Sequence, residues 1–117
     1  MNNESIKKFI RKEIEKVLNN LGIELKEIIL FGSRAREDYK EHSDWDIFIV
    51  LNEEIDLQKK KKIWYSIYKK LHQKFPFSSF DIILKSKSLY ENEKKVVNTL
   101  ANEVYREGIP LWQLKRK

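Results

Sequence analysis

Aspartate is scarce in this 117-residue chain, with five against 13 glutamates and 19 lysines, and three of the five fall where carboxylate chemistry could use them. Asp44 and Asp46 bracket Trp45 at the head of DWDIFIVL. Alternate side chains share a face on a strand, so both carboxylates project to one side and Trp45 to the other, with their Cα atoms roughly 6–7 Å apart. Like charges so placed repel unless a cation lies between them, and hard oxygens of this kind suit Mg²⁺. A pair of solvated acids at a strand start is the plainer reading of the same letters. Asp81 sits in SFDIILK, between Phe80 and Ile82-Ile83-Leu84. A buried, unpaired charge there would cost several kcal/mol and so calls for a cation or a strong donor. A partly exposed edge position or a lysine partner would also serve.

Gly32 is one of only three glycines and breaks the apolar run Ile28-Ile29-Leu30-Phe31 just before Ser33-Arg34-Ala35-Arg36. A glycine at a strand-to-helix junction admits close approach to the backbone, while the following amides, a hydroxyl and two guanidiniums favour an anion such as phosphate. The bland alternative is an ordinary turn with solvated arginines. Ser33, His42 and Asp44 do not make a hydrolase triad, because the strained Gly-x-Ser-x-Gly turn is missing. With no cysteine, and with His42 and His72 lacking partners at metal spacing, a zinc site is not expected.

These residues need elements to position them. Ile6, Phe9, Ile10, Ile14, Val17, Leu18 and Leu21 recur at helical spacing, predicting an amphipathic helix from Ser5 to Leu21 closed by Gly22. Strands are predicted at Ile28–Phe31, Asp44–Leu51 and Ser79–Lys85. Between the last two, Ile63, Trp64, Ile67, Tyr68, Leu71 and Phe75 mark one face of a helix from about Asp56 to Phe75, ended by Pro76. Leu89, Val96, Val97, Leu100, Ala101 and Val104 predict a last helix running to Gly108, and Trp112 is expected to dock on the core. The result is one α/β (α+β) domain over 1–117: a small mixed sheet flanked by helices.

Composition narrows the class. The apolar share of 41% supplies one core, and no stretch resembles a signal peptide or a membrane span, so a cytoplasmic protein is expected. The net charge of +6 has an address, since residues 57–74 hold seven lysines and no acid, leaving −1 on the rest. Lys59-Lys60-Lys61-Lys62, Lys69, Lys70 and Lys74 read as the wet face of a helix without interleaved aromatics, so direct nucleic-acid binding is not expected.

Taken together, ILFGSRAR, the Asp44/Asp46 pair with ten residues between it and Ser33, and the aspartate of FDIIL resemble the minimal nucleotidyltransferases of the DNA polymerase β superfamily, over roughly Glu24 to Trp112. The resemblance implies a polymerase β-like fold in which Gly32 and Ser33 bind nucleotide phosphates and Arg34 and Arg36 add charge near them. It implies one or two Mg²⁺ on Asp44, Asp46 and Asp81, with Asp81 also helping to activate the attacking hydroxyl. It further implies transfer of AMP from ATP to a hydroxyl. Small members of this kind resemble the antitoxin half of HEPN–nucleotidyltransferase toxin–antitoxin pairs, so a tyrosine of a HEPN ribonuclease is the expected acceptor and that toxin the partner, in a homo- or hetero-oligomer. A non-catalytic antitoxin of the same fold and a small-molecule nucleotidyltransferase are the alternatives. Members often continue GSRARG, whereas here Glu37 and Asp38 follow Arg36.

Overall fold

The structure is a computed structural model and describes residues 2–40 and 43–115. His42 and the last two residues of the basic tail lie outside the described residues. Helix α1 (Asn3–Asn20) opens on the Asn2 side chain, which accepts from the Ser5 amide at 2.8 Å. It stops at Gly22, whose φ of 68° is left-handed backbone. There follow β1 (Leu25–Phe31), α2 (Ser33–Arg36), β2 (Trp45–Leu51), α3 (Leu57–Lys74), β3 (Phe80–Ser86), α4 (Lys87–Glu93), α5 (Leu100–Glu107) and β4 (Ile109–Gln113).

The four strands lie in the order β3-β2-β1-β4. β1 is antiparallel to both of its neighbours, while β2 and β3 run parallel because α3 carries the chain back between them. Helices cover both faces, which is why the central strands read as unbroken apolar runs. On one face Ile10, Ile14 and Leu18 of α1 and Ile63, Ile67 and Leu71 of α3 pack on Ile28, Leu30, Ile47, Ile49, Ile82 and Leu84. Each such fully buried aliphatic side chain stabilises the fold by about 2 kcal/mol. On the other face Tyr90, Ala101 and Val104 meet Ile29, Phe31, Phe48 and Val50. The mixed sheet flanked by helices is therefore the one the sequence predicts.

Three expectations are corrected. The last helix is two, because Asn98 turns the chain at φ 71° and the Thr99 side chain caps a fresh start at α5, accepting from the Asn102 amide at 3.1 Å. Val96 and Val97, read as part of a buried face, lie in the turn and are exposed. The tail is a strand, β4, on the outer edge, where Pro110 is tolerated; Trp112 does dock, partly buried against the first core. The third concerns α3. Trp64 and Tyr65 are exposed beside the lysines, so aromatics do border the basic face.

Candidate active site

The site forms where β1 ends and β2 and β3 begin. The pairing aligns Phe31 with Asp46 and Asp46 with Asp81, so the last residue of β1 and both aspartates occupy one row across three strands. By the two-residue period Asp46 and Asp81 lie on the same sheet face as Phe48 and Ile83, the side covered by α4 and α5. Trp45 turns the other way and is buried in the first core, as alternation requires.

Gly32 follows Phe31 directly, and it is glycine for two separate reasons. Its φ of 71° with ψ of −155° is a region that only glycine occupies readily. A Cβ added there would also run into the Asp46 carboxylate, standing 3.1 Å from its Cγ and 3.4 Å from its Cβ. The carboxylate thus lies directly over the glycine backbone. Just beyond, the Gly32 carbonyl accepts from the Ala35 and Arg36 amides, both at 3.1 Å, and this winds Ser33–Arg36 into the short helix α2.

Asp46 is partly buried while Asp44 and Asp81 are exposed. Burial first, then the charges of Asp81 and of Asp44, push the Asp46 carboxyl up to about 6 from an ordinary 3.8, and Arg36 opposes them. Asp81 therefore does not carry the buried charge that its apolar neighbours predicted. It stands on the edge strand of the sheet and faces solvent, the alternative its sequence context left open. Its link to the pair is electrostatic.

The two arginines have different surroundings. Arg36 is exposed, pairs with Asp38 at 3.3 Å and reaches the carboxylates with its field. Arg34 is buried: its Nε and Nη2 donate to the Ser43 carbonyl at 3.3 and 3.0 Å, and its guanidinium lies 4.5 Å from the Tyr39 ring centroid and 4.4 Å from that of Trp45. Ser43 and Trp45 flank Asp44. Arg34 thereby ties the glycine loop to both neighbours of an acid, a link that sequence reasoning missed because the aromatic partners lie five and eleven residues away. Glu37 ends α2 at φ 62°, left-handed backbone at the position where GSRARG has its last glycine.

The donor set, carboxylate oxygens that repel one another with one of them seated over a glycine, is of the chemistry that suits a hard divalent cation. Among the described residues no group of three histidine or acidic side chains stands close enough together to hold a metal ion.

The fold agrees with what the chain is similar to. It belongs to the family described as Polymerase beta, Nucleotidyltransferase, whose pattern matches residues 12–117. Over 60 residues it is 45% identical to a protein of Methanocaldococcus jannaschii that carries the name protein adenylyltransferase MJ0141; the match spans 51% of this chain and 57% of that protein. Two solved structures share the fold. One, described as a toxin–antitoxin with AMP-PNP, aligns at a TM-score of 0.57 and 22% identity over 89% of this chain and 73% of its own. The other, described as a tri-AMPylated HEPN toxin from Shewanella oneidensis in complex with an MNT antitoxin, aligns at a TM-score of 0.51 and 21% identity over 92% and 73%. No helix among the described residues is long and apolar enough to cross a membrane.

Proposed function

We propose that this chain transfers AMP from ATP to a hydroxyl of a protein, the acceptor being a tyrosine of a HEPN-type toxin that it neutralises. The observation that carries the reading is the Asp46 carboxylate seated over Gly32 in register with Asp81. Family membership and the relative named as a protein adenylyltransferase support the reaction class, and the HEPN toxin complex of similar fold supports the partner.

Asp44, Asp46 and Asp81 would hold Mg²⁺, which when bound supplies charge stabilisation for the attacking and departing oxygens. The chain does the rest. Gly32 and Ser33 receive the phosphates along the backbone, and Arg36 adds positive charge beside them. Asp81, exposed at the sheet edge where a protein acceptor can reach it, takes the proton of the incoming hydroxyl. The acceptor oxygen attacks the α-phosphorus, the bond to the bridging oxygen of the β-phosphate breaks, and pyrophosphate leaves. Arg34 acts at a distance from this chemistry by fixing the residues on either side of Asp44.

The test is incubation with α-labelled ATP, Mg²⁺ and the protein encoded beside this one, repeated with Asp44→Ala/Asp46→Ala. Label on a tyrosine of the partner, absent with the double variant, is the expected result. Full neutralisation of the partner by the unlabelled double variant would instead establish a non-catalytic antitoxin.

A further inference from the structure

The basic helix α3 has no part in that site. Lys59, Lys60, Lys61 and Lys62 crowd its first turn and a half with no acid among them. Asp56 caps this helix start, accepting from the Lys59 amide at 2.7 Å, but the four consecutive lysines behind it repel one another and those of the first turn also oppose the helix dipole. Among the described residues none of the seven α3 lysines has an acidic side chain at ion-pair distance. Such a placement lowers the stability of the free chain, and an anionic partner would relieve it.

The geometry beside these lysines indicates the partner's shape. β3 is an edge strand with β2 on one side only. Along its free edge runs a groove of about 280 Å³ between α3 and the strand, walled by Leu57, Lys60, Lys61 and Trp64 and floored by Ile82 to Lys85. Leu57 is 65% exposed and Trp64 38% exposed, unusual for large apolar groups beside a core. The Trp64 indole N–H donates to the Ile82 carbonyl at 3.1 Å, so this carbonyl points out of the sheet and already accepts a donor where a neighbouring strand's amide would come. Tyr68 stacks on the far side of the indole at 5.0 Å and 7°, and His72 on Tyr68 at 5.5 Å and 9°, which holds the overhanging wall rigid.

We propose that this groove takes an extended, acidic segment of a partner protein as a fifth strand on β3. The segment's amides pair with the Ile82–Lys85 edge, its apolar side chains fill the space under Leu57 and Trp64, and its carboxylates face Lys60 and Lys61. A second copy paired symmetrically through this edge is disfavoured, because the α3 lysines of the two chains would face one another. The groove begins one residue beyond Asp81 on the same strand, so its occupant would lie beside the proposed active site, but the docking argument itself does not depend on the adenylyltransfer reading.

The probe is an acetylated peptide of alternating Glu and Val, titrated into the full chain and followed by the amide resonances of Ile82 and Leu84 and the Trp64 indole N–H resonance. Binding should shift all three and weaken with salt. Lys60→Glu/Lys61→Glu should weaken it by about tenfold or more while leaving adenylyltransfer unchanged. Trp64→Phe, which removes the competing internal donor, should bind at least as tightly. The proposal is overturned if the peptide does not bind, if the double charge reversal leaves affinity unchanged, or if a peptide methylated at alternate amides binds equally well. A single-stranded oligonucleotide that binds the groove more tightly than the peptide would overturn it in favour of a nucleic acid.

Discussion

Gly32→Ala places the added methyl against the Asp46 carboxylate and asks an L-residue to hold φ 71° and ψ −155°. Holding that backbone costs about 1–3 kcal/mol. The methyl adds a clash with the Asp46 Oδ2 that movement of Asp46 must relieve, since the next nearest atoms, at 3.1 and 3.4 Å, are that residue's own Cγ and Cβ. Together these should lower stability by about 2–4 kcal/mol, and the melting temperature by roughly 10 °C for a domain of this size. Displacing a carboxylate by an ångström at a reacting centre costs about 10²-fold in rate, so adenylyltransfer should fall by at least that much. Gly22→Ala is the control. That residue also has a positive φ, 68°, but nothing within 4 Å of an added Cβ, so it should cost about 1 kcal/mol and leave turnover alone. Urea unfolding of both variants beside a labelled-ATP assay separates strain from site damage. If Gly32→Ala and Gly22→Ala lose the same stability and both keep full activity, the proposed seating of Asp46 over the glycine is wrong.

Three further expectations follow from the same geometry. Arg34→Lys keeps the charge but not the fork on the Ser43 carbonyl or the planar contact with Tyr39 and Trp45. It should destabilise by about 1–3 kcal/mol and raise the Mg²⁺ concentration needed for half-maximal activity, as read from a metal titration. Glu37→Gly relieves left-handed backbone at φ 62° and should stabilise by about 1 kcal/mol in thermal unfolding. In the metal-free protein Asp46 titrates near 6 when folded and near 3.8 when unfolded, so between those values the folded state holds more of the proton. Stability is therefore full below pH 4 and falls as pH rises through 6, by about 1 kcal/mol once solvent screening of this partly exposed group is allowed for. Asp46→Asn should remove that slope, and a slope unchanged in the variant would contradict the assignment.

Much of this was legible in the chain. The Gly32 break is a local pattern and the structure keeps it, with Trp45 buried and Asp46 facing the glycine, while Asp44 lies just ahead of β2 rather than in it. What was not legible depends on strand order. Phe80 and Ile82-Ile83-Leu84 made Asp81 look buried, yet β3 is an edge strand and Asp81 stands near its open start, a position set by strand order rather than by the local sequence. Arg34 was read as a phosphate-facing charge because Tyr39 and Trp45 converge on it only after folding. The split between α4 and α5 did carry a signal, Asn98-Thr99 ahead of Leu100, but Val96 and Val97 fit the helical period and masked it.

Phe31, Asp46 and Asp81 share one row across three strands, and this has a consequence for how such a chain can change over time. None of the described residues between α2 and β2 pairs in the ladder, although Arg34 holds Tyr39 and Ser43 there. A single insertion between Trp45 and Leu51 would reverse the faces of the residues beyond it, and one just before Asp46 would swing its carboxylate into the apolar layer. Lineages of this protein should therefore accumulate almost no length differences at 44–51 or 80–86.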